Sequence, residues 1–175
     1  MLNSYIVTGS YPVAVAVLVL DCAKGIGAVI LAQALGGGDF AHGAVGGVCA
    51  IVGHNFPLWL SFRGGRGLAA AAGVFSILAW PVVALWGALW GAGRLFLRDV
   101  NVANAAASVV TLVLAETLPP GAVAMAAGAA PTGEFRLFAL AAFSLVIVKH
   151  VAPVRAYIRE RRAAGPHDTG NMRNP

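Results

Sequence analysis

One stretch concentrates the residues that could do chemistry. Gly53-His54 is followed, after seven residues, by Phe62-Arg63-Gly64-Gly65-Arg66-Gly67-Leu68-Ala69-Ala70. The two arginines supply guanidiniums suited to bidentate phosphate binding. The glycines remove side-chain bulk and permit positive φ, so consecutive backbone N–H groups can converge on one anion. A helix starting directly after them adds partial positive charge. By residue type alone, an ordinary basic loop at a membrane face competes with this reading. The intramembrane Gly-His upstream favours the anion site, so the segment from Arg63 through Gly64, Gly65 and Arg66 to Gly67 is predicted to bind phosphate. His54 lies about two to three helical turns before the loop, so its helix must bend or break near Pro57 to bring the ring close.

Other polar residues sit inside apolar runs. Asp21 and Lys24 are three apart, share a helix face and can neutralise each other. Each lone charge costs about 2.5–3.5 kcal/mol at a helix centre, so both are predicted to face the protein interior. A purely structural ion pair competes evenly with a Lys24 aimed at an anionic substrate. Lys149 and His150 close the last apolar run, where a cap and interface anchor is the plain reading. Arg98-Asp99-Val100-Asn101 opens a helix, with Asp99 or Asn101 as its cap. Cys22 and Cys49 read as buried free thiols. No metal-ligand spacing stands out, no Ser-His-Asp or Cys-His arrangement is legible, and no cofactor is expected.

These residues need elements to hold them. Of 175 residues, 59% are hydrophobic and 11% charged, against about 25% charged in a soluble domain, so the chain cannot coat itself with a water-facing surface. Mean hydropathy is +0.79. The 22 glycines suit close helix packing in lipid. The sequence therefore predicts an all-α, polytopic integral membrane protein with about six membrane-embedded helices. Spans need roughly 20 apolar residues. They are read at Pro12 to Ala34, His42 to Leu60, Gly67 to about Ala79, Pro81 to about Leu97, Val100 to Leu118, and Phe135 to Val151. Gly36 to Gly38, Pro81 and Pro119-Pro120 are the breaks. Residues 1–153 form one membrane domain, and 154–175 a basic, disordered cytoplasmic tail. The N-terminus lacks a basic n-region, so it reads as a retained helix rather than a cleaved signal. With six spans, Arg63, Arg66, Arg94, Arg98 and the tail arginines share one side, which places both termini in the cytoplasm. The net charge of +5 follows from those loops and does not point to nucleic acid.

The motif around His54 resembles the second motif of the bacterial acyl-phosphate-dependent glycerol-3-phosphate acyltransferases: Gly-His, seven residues, Phe-x-Gly-Gly-Lys-Gly-Val-Ala-Thr. Leu20-Asp21-Cys22-Ala23-Lys24-Gly25 is similar to the family's Leu-Asp-x-x-Lys-Gly. Arg98-Asp99-Val100-Asn101 resembles its Arg-x-x-Ser, and His150 falls where its C-terminal His-Arg-Glu-Asn begins. Arg66 stands for a lysine, Ala70 for a threonine and Asn101 for a serine. Only Asn3 matches the end of the family's first motif, and the family's first helix has no counterpart, in keeping with a count of six. The resemblance implies transfer of an acyl group from acyl phosphate to glycerol 3-phosphate in the inner membrane, giving lysophosphatidic acid for phospholipid synthesis. It implies His54, Arg66 and His150 as catalytic residues. Arg63, Gly64, Gly65, Gly67, Lys24, Asn101 and Asn3 become the substrate ligands. The other reading is a non-catalytic paralogue that keeps the fold and binds an acyl or phosphate lipid.

Overall fold

Proline and glycine punctuation sets the order of the helices. The computed structural model describes residues 2–62, 64–128 and 130–163, with residues 2–4 through their backbone only. It contains α1 (Leu2–Thr8), α2 (Tyr11–Leu35), α3 (Phe40–Asn55), α4 (Leu68–Leu78), α5 (Trp80–Phe96), α6 (Val100–Thr117), α7 (Pro120–Ala127) and α8 (Thr132–Ala163), plus a 3-10 turn at Leu58–Leu60. No strand occurs among the described residues. Four segments are long and apolar enough to cross a membrane: Tyr11–Leu35, Phe40–Leu60, Val100–Thr117 and Thr132–Ala163. Helix α4 is a shorter apolar helix.

All six expected helices are present, and their breaks have the expected causes. Gly38 N–H reaches back to the Gln33 carbonyl at 2.8 Å, closing α2 with a left-handed glycine turn. Pro81 sits in the first turn of α5, and the chain breaks just before it at the extended residue Ala79. Two short helices were not expected. Pro119-Pro120 stops α6 but also starts α7, because proline at a first helical position gives up an N–H that has no partner there. The last helix also differs from expectation: it does not end at Val151 but continues to Ala163, and the remaining residues of the expected tail, 164–175, lie outside the described residues. Its extension is rich in Arg and Ala, good helix formers, and the chain keeps its helix through Pro153 despite the lost hydrogen bond. Lys149 and His150 are therefore inside a helix rather than at its cap.

Packing is set by small residues and aromatics. A side chain on Gly25 would overlap the Ala70 carbonyl, and one on Gly73 the Cys22 carbonyl, so α2 and α4 touch main chain to main chain. Helix α8 presents Phe135, Phe138, Ala139, Ala142, Phe143 and Val146 on one buried stripe. Phe75 of α4 meets Phe138 and Phe143 with ring centroids 4.7 and 5.1 Å apart. In lipid, such contacts hold helices through dispersion and fit rather than through water release. Trp86 of α5 donates its indole N–H to Ser108 Oγ of α6 at 3.1 Å.

Candidate functional site

The site begins where α3 ends. After Asn55 the chain runs through Pro57, makes the 3-10 turn and reverses through left-handed Ser61 and Phe62. It then returns, and Gly65 N–H donates to the His54 carbonyl at 3.0 Å. The break near Pro57 is thus present and folds the glycine loop back onto His54. Arg63 lies outside the described residues, as does the side chain of Asn3 on α1.

Each described loop glycine is needed for a different contact. A side chain on Gly64 would overlap the His54 carbonyl and the Pro57 ring. On Gly65 it would overlap the His54 imidazole. Gly67 alone among the three has positive φ, at +81°, and it faces Asn55. The expectation of positive φ at Gly65 is corrected accordingly: Gly65 is required by the ring beside it, not by its dihedral. Its N–H is also spent on His54, so the expected run of consecutive loop amides does not include it.

The donors that remain belong to α4. Gly67 is its N-cap and supplies no side-chain cap. The first four N–H groups of a helix have no intrahelical acceptor. Here that end is inside the protein, with Gly67 and Ala70 buried. A buried, uncapped N-terminus favours an anion. Arg66 precedes it.

Lys24 and His54 meet. Lys24 Nζ lies 2.7 Å from His54 Nδ1 and 2.7 Å from Asp21 Oδ1, and His54 Nδ1 lies 3.3 Å from Asp21 Oδ1. Both charges in α2 therefore have polar partners within the protein. With its proton on Nε2, His54 accepts from the lysine ammonium and turns its N–H edge toward Gly65.

A second set of residues closes the other side. Arg66 Nη1 donates to Asn101 Oδ1. Asn101 is held in the first turn of α6, where Asp99 caps the Asn101 and Val102 amides at 2.8 and 3.0 Å. His150 is fully buried. His150 Nδ1 is 2.8 Å from the Val146 carbonyl, so Nδ1 carries the proton and donates it. Nε2 is then a buried acceptor, and among the described residues it has no partner. Lys149 Nζ stands 4.5 Å from the centroid of the Phe56 ring.

Asn55 is the site residue that the motif did not single out. It is fully buried, donates to the Leu145 carbonyl at 3.0 Å and, among the described residues, leaves Oδ1 without a partner beside Gly67. Its signal in the sequence was an amide inside an apolar span, next to His54. In place, it ties the end of α3 to α8.

A family model described as glycerol-3-phosphate acyltransferase matches residues 2–160. Among curated relatives, the glycerol-3-phosphate acyltransferase of Dinoroseobacter shibae is 41% identical over 108 residues, covering 62% of this chain and 52% of its own. That of Roseobacter denitrificans is 40% identical over 119 residues, covering 67% and 58%. That of Gloeobacter violaceus is 41% identical over 101 residues, covering 56% and 49%. The match thus spans about half the length of these relatives. No solved structure matches. The helices, the glycine loop and the match to residues 2–160 agree, and the chain belongs to the glycerol-3-phosphate acyltransferase family.

Proposed function

We propose that the chain moves an acyl group from acyl phosphate to the 1-hydroxyl of glycerol 3-phosphate, giving lysophosphatidic acid and inorganic phosphate. The observation that carries this reading is His150: a buried imidazole whose Nδ1 donates to the Val146 carbonyl and whose Nε2 is a basic nitrogen with no partner among the described residues. Nε2 takes the hydroxyl proton as the oxygen attacks the acyl carbonyl carbon. The carbon–oxygen bond to phosphate breaks, and the departing phosphate is held by Arg66 and the first turn of α4. Lys24, His54 and Gly65 shape the donor side, with Asn101 fixing the arginine. No side chain becomes acylated, so the rate comes from positioning and charge stabilisation. The arginine distribution supports a site on the cytoplasmic face of the cell membrane, with both ends of the chain on that side.

The test is reconstitution of the full chain in liposomes with palmitoyl phosphate and radiolabelled glycerol 3-phosphate. Labelled lysophosphatidic acid that depends on both substrates is expected. Donor binding without transfer would leave the fold as a lipid-phosphate binder and overturn the catalytic reading.

A further inference from the structure

A cationic cavity has no glycine-loop residue in its lining. It is about 490 Å³ and is walled by Phe96, Leu97, Arg98, Asp99 and Val102 at the α5–α6 turn, and by Tyr157 and Arg161 on the α8 extension. The helix that forms its second wall is the part of α8 that outlasts the apolar run. Arg161 stacks over the Tyr157 ring at 5.4 Å, which orients its guanidinium. Among the described residues, no carboxylate pairs with Arg98 or Arg161. Asp99 contributes one negative charge to the wall, but its Oδ1 already accepts from the two α6 amides.

We infer that this cavity binds the headgroup phosphate of an anionic glycerophospholipid. The two arginines supply forked donors for phosphate oxygens. The rim decides between a lipid and a free ion. Phe96 is 84% exposed and borders the cavity, and neighbouring Leu95 is 82% exposed. Apolar side chains directly beside paired cations suit a ligand whose phosphate continues into hydrocarbon. Tyr157, an amphipathic ring of the kind enriched at membrane interfaces, lines the same cavity. A zwitterionic headgroup brings its own cation against two guanidiniums and is disfavoured. The inference needs the membrane setting but not the acyl-transfer reaction.

The experiment uses the full chain in detergent micelles, with binding of dioctanoyl phosphatidylglycerol followed by native mass spectrometry. One saturable lipid per chain is expected. The Arg98→Gln/Arg161→Gln variant should weaken it by about tenfold or more, the loss of two charge-assisted contacts. Arg155→Gln/Arg159→Gln removes equal charge from the same extension outside the cavity and should leave affinity within about twofold. Both pairs are exposed, and size exclusion checks the fold. Equal weakening by the two variants would reduce the effect to diffuse surface charge. Equal binding of dioctanoyl phosphatidylcholine would show that the apolar rim alone binds. Displacement by equimolar inorganic phosphate would make it a free-phosphate site. Each of these outcomes, like absence of saturable binding, overturns the inference.

Discussion

The imidazole of His54 occupies the space in which Gly65 would carry a side chain. The same ring is held from its other edge by Lys24 at 2.7 Å. Position 65 therefore reports directly on the placement of His54. Gly65→Ala should displace the ring from Lys24 and cost about 1–3 kcal/mol, the usual range for overpacking. Palmitoyl phosphate affinity should fall, with Gly65→Val more severe than Gly65→Ala. The chain must still elute as a folded micellar species. A folded Gly65→Val variant with unchanged donor affinity would reduce the loop to a connector.

His150 should separate binding from chemistry. His150→Gln keeps an amide near the Val146 carbonyl but removes the basic nitrogen at Nε2. Acyl transfer is expected to fall about 10²–10⁴-fold, the range for loss of a positioned general base. Palmitoyl phosphate affinity should change little. Single-turnover rates and equilibrium donor binding check the two halves. A large drop in donor affinity with an unchanged chemical step would assign His150 to binding instead.

Asn101 is expected to act through Arg66. Asn101→Ala frees the guanidinium from its acceptor without removing its charge. KM for the acyl donor should rise several-fold, and Asn101→Ser, the residue the family pattern carries, should restore part of it. Equal damage from both substitutions would show that Asn101 serves α6 packing and not arginine placement.

The Asp21–Lys24 pair should be more costly to halve than to remove. Asp21→Asn or Lys24→Met alone strands a charge in the span and should destabilise by about 1.5–3 kcal/mol, the range for a charged hydrogen bond. The double variant should lose less than the sum of the two. Lys24 keeps 44% of its side chain exposed, which places its own effect toward the low end. Thermal unfolding in detergent provides the cycle, and strict additivity would refute coupling.

Acid should loosen the start of α3. The His42 amide, and after it the His42 ring, holds the Asp39 carboxyl below its usual range. A carboxyl depressed in the folded state contributes stability above its unfolded pKa, about 3.9, and loses it as pH falls through the lower folded value. Protection of the His42 amide, measured relative to its intrinsic exchange rate at each pH, should be high at neutral pH and fall only in strong acid. Asp39→Asn should remove that dependence, and an unchanged profile in the variant would exclude the cap as its source.

Most helices were legible because their signals are local. Pro81 and Gly36 to Gly38 break the chain by backbone rules that hold in any setting. Helix α7 was missed because the same prolines that end α6 suit a first turn. The extension of α8 was missed because a falling hydropathy marks the end of a membrane span, not the end of a helix. In the site, the meeting of Lys24 and His54 was not legible from spacing, since 30 residues separate them. Asn55 was not legible: its bond to Leu145 spans 90 residues and exists only once α8 is in place.

The contact of Gly25 with Ala70 and of Gly73 with Cys22 makes a ruler out of main chain. Lys24 and the first turn of α4 sit at the same mark, where Gly25 meets Ala70. Side-chain contacts yield when a bilayer thickens, cools or changes its lipids, because rotamers can turn. Carbonyls packed against α-carbons have no such slack. The spacing between the α2 and α4 main chains is therefore insulated from the fluid around it. A cell that remodels its membrane can change the solvent of this protein without retuning the distance between these two helices.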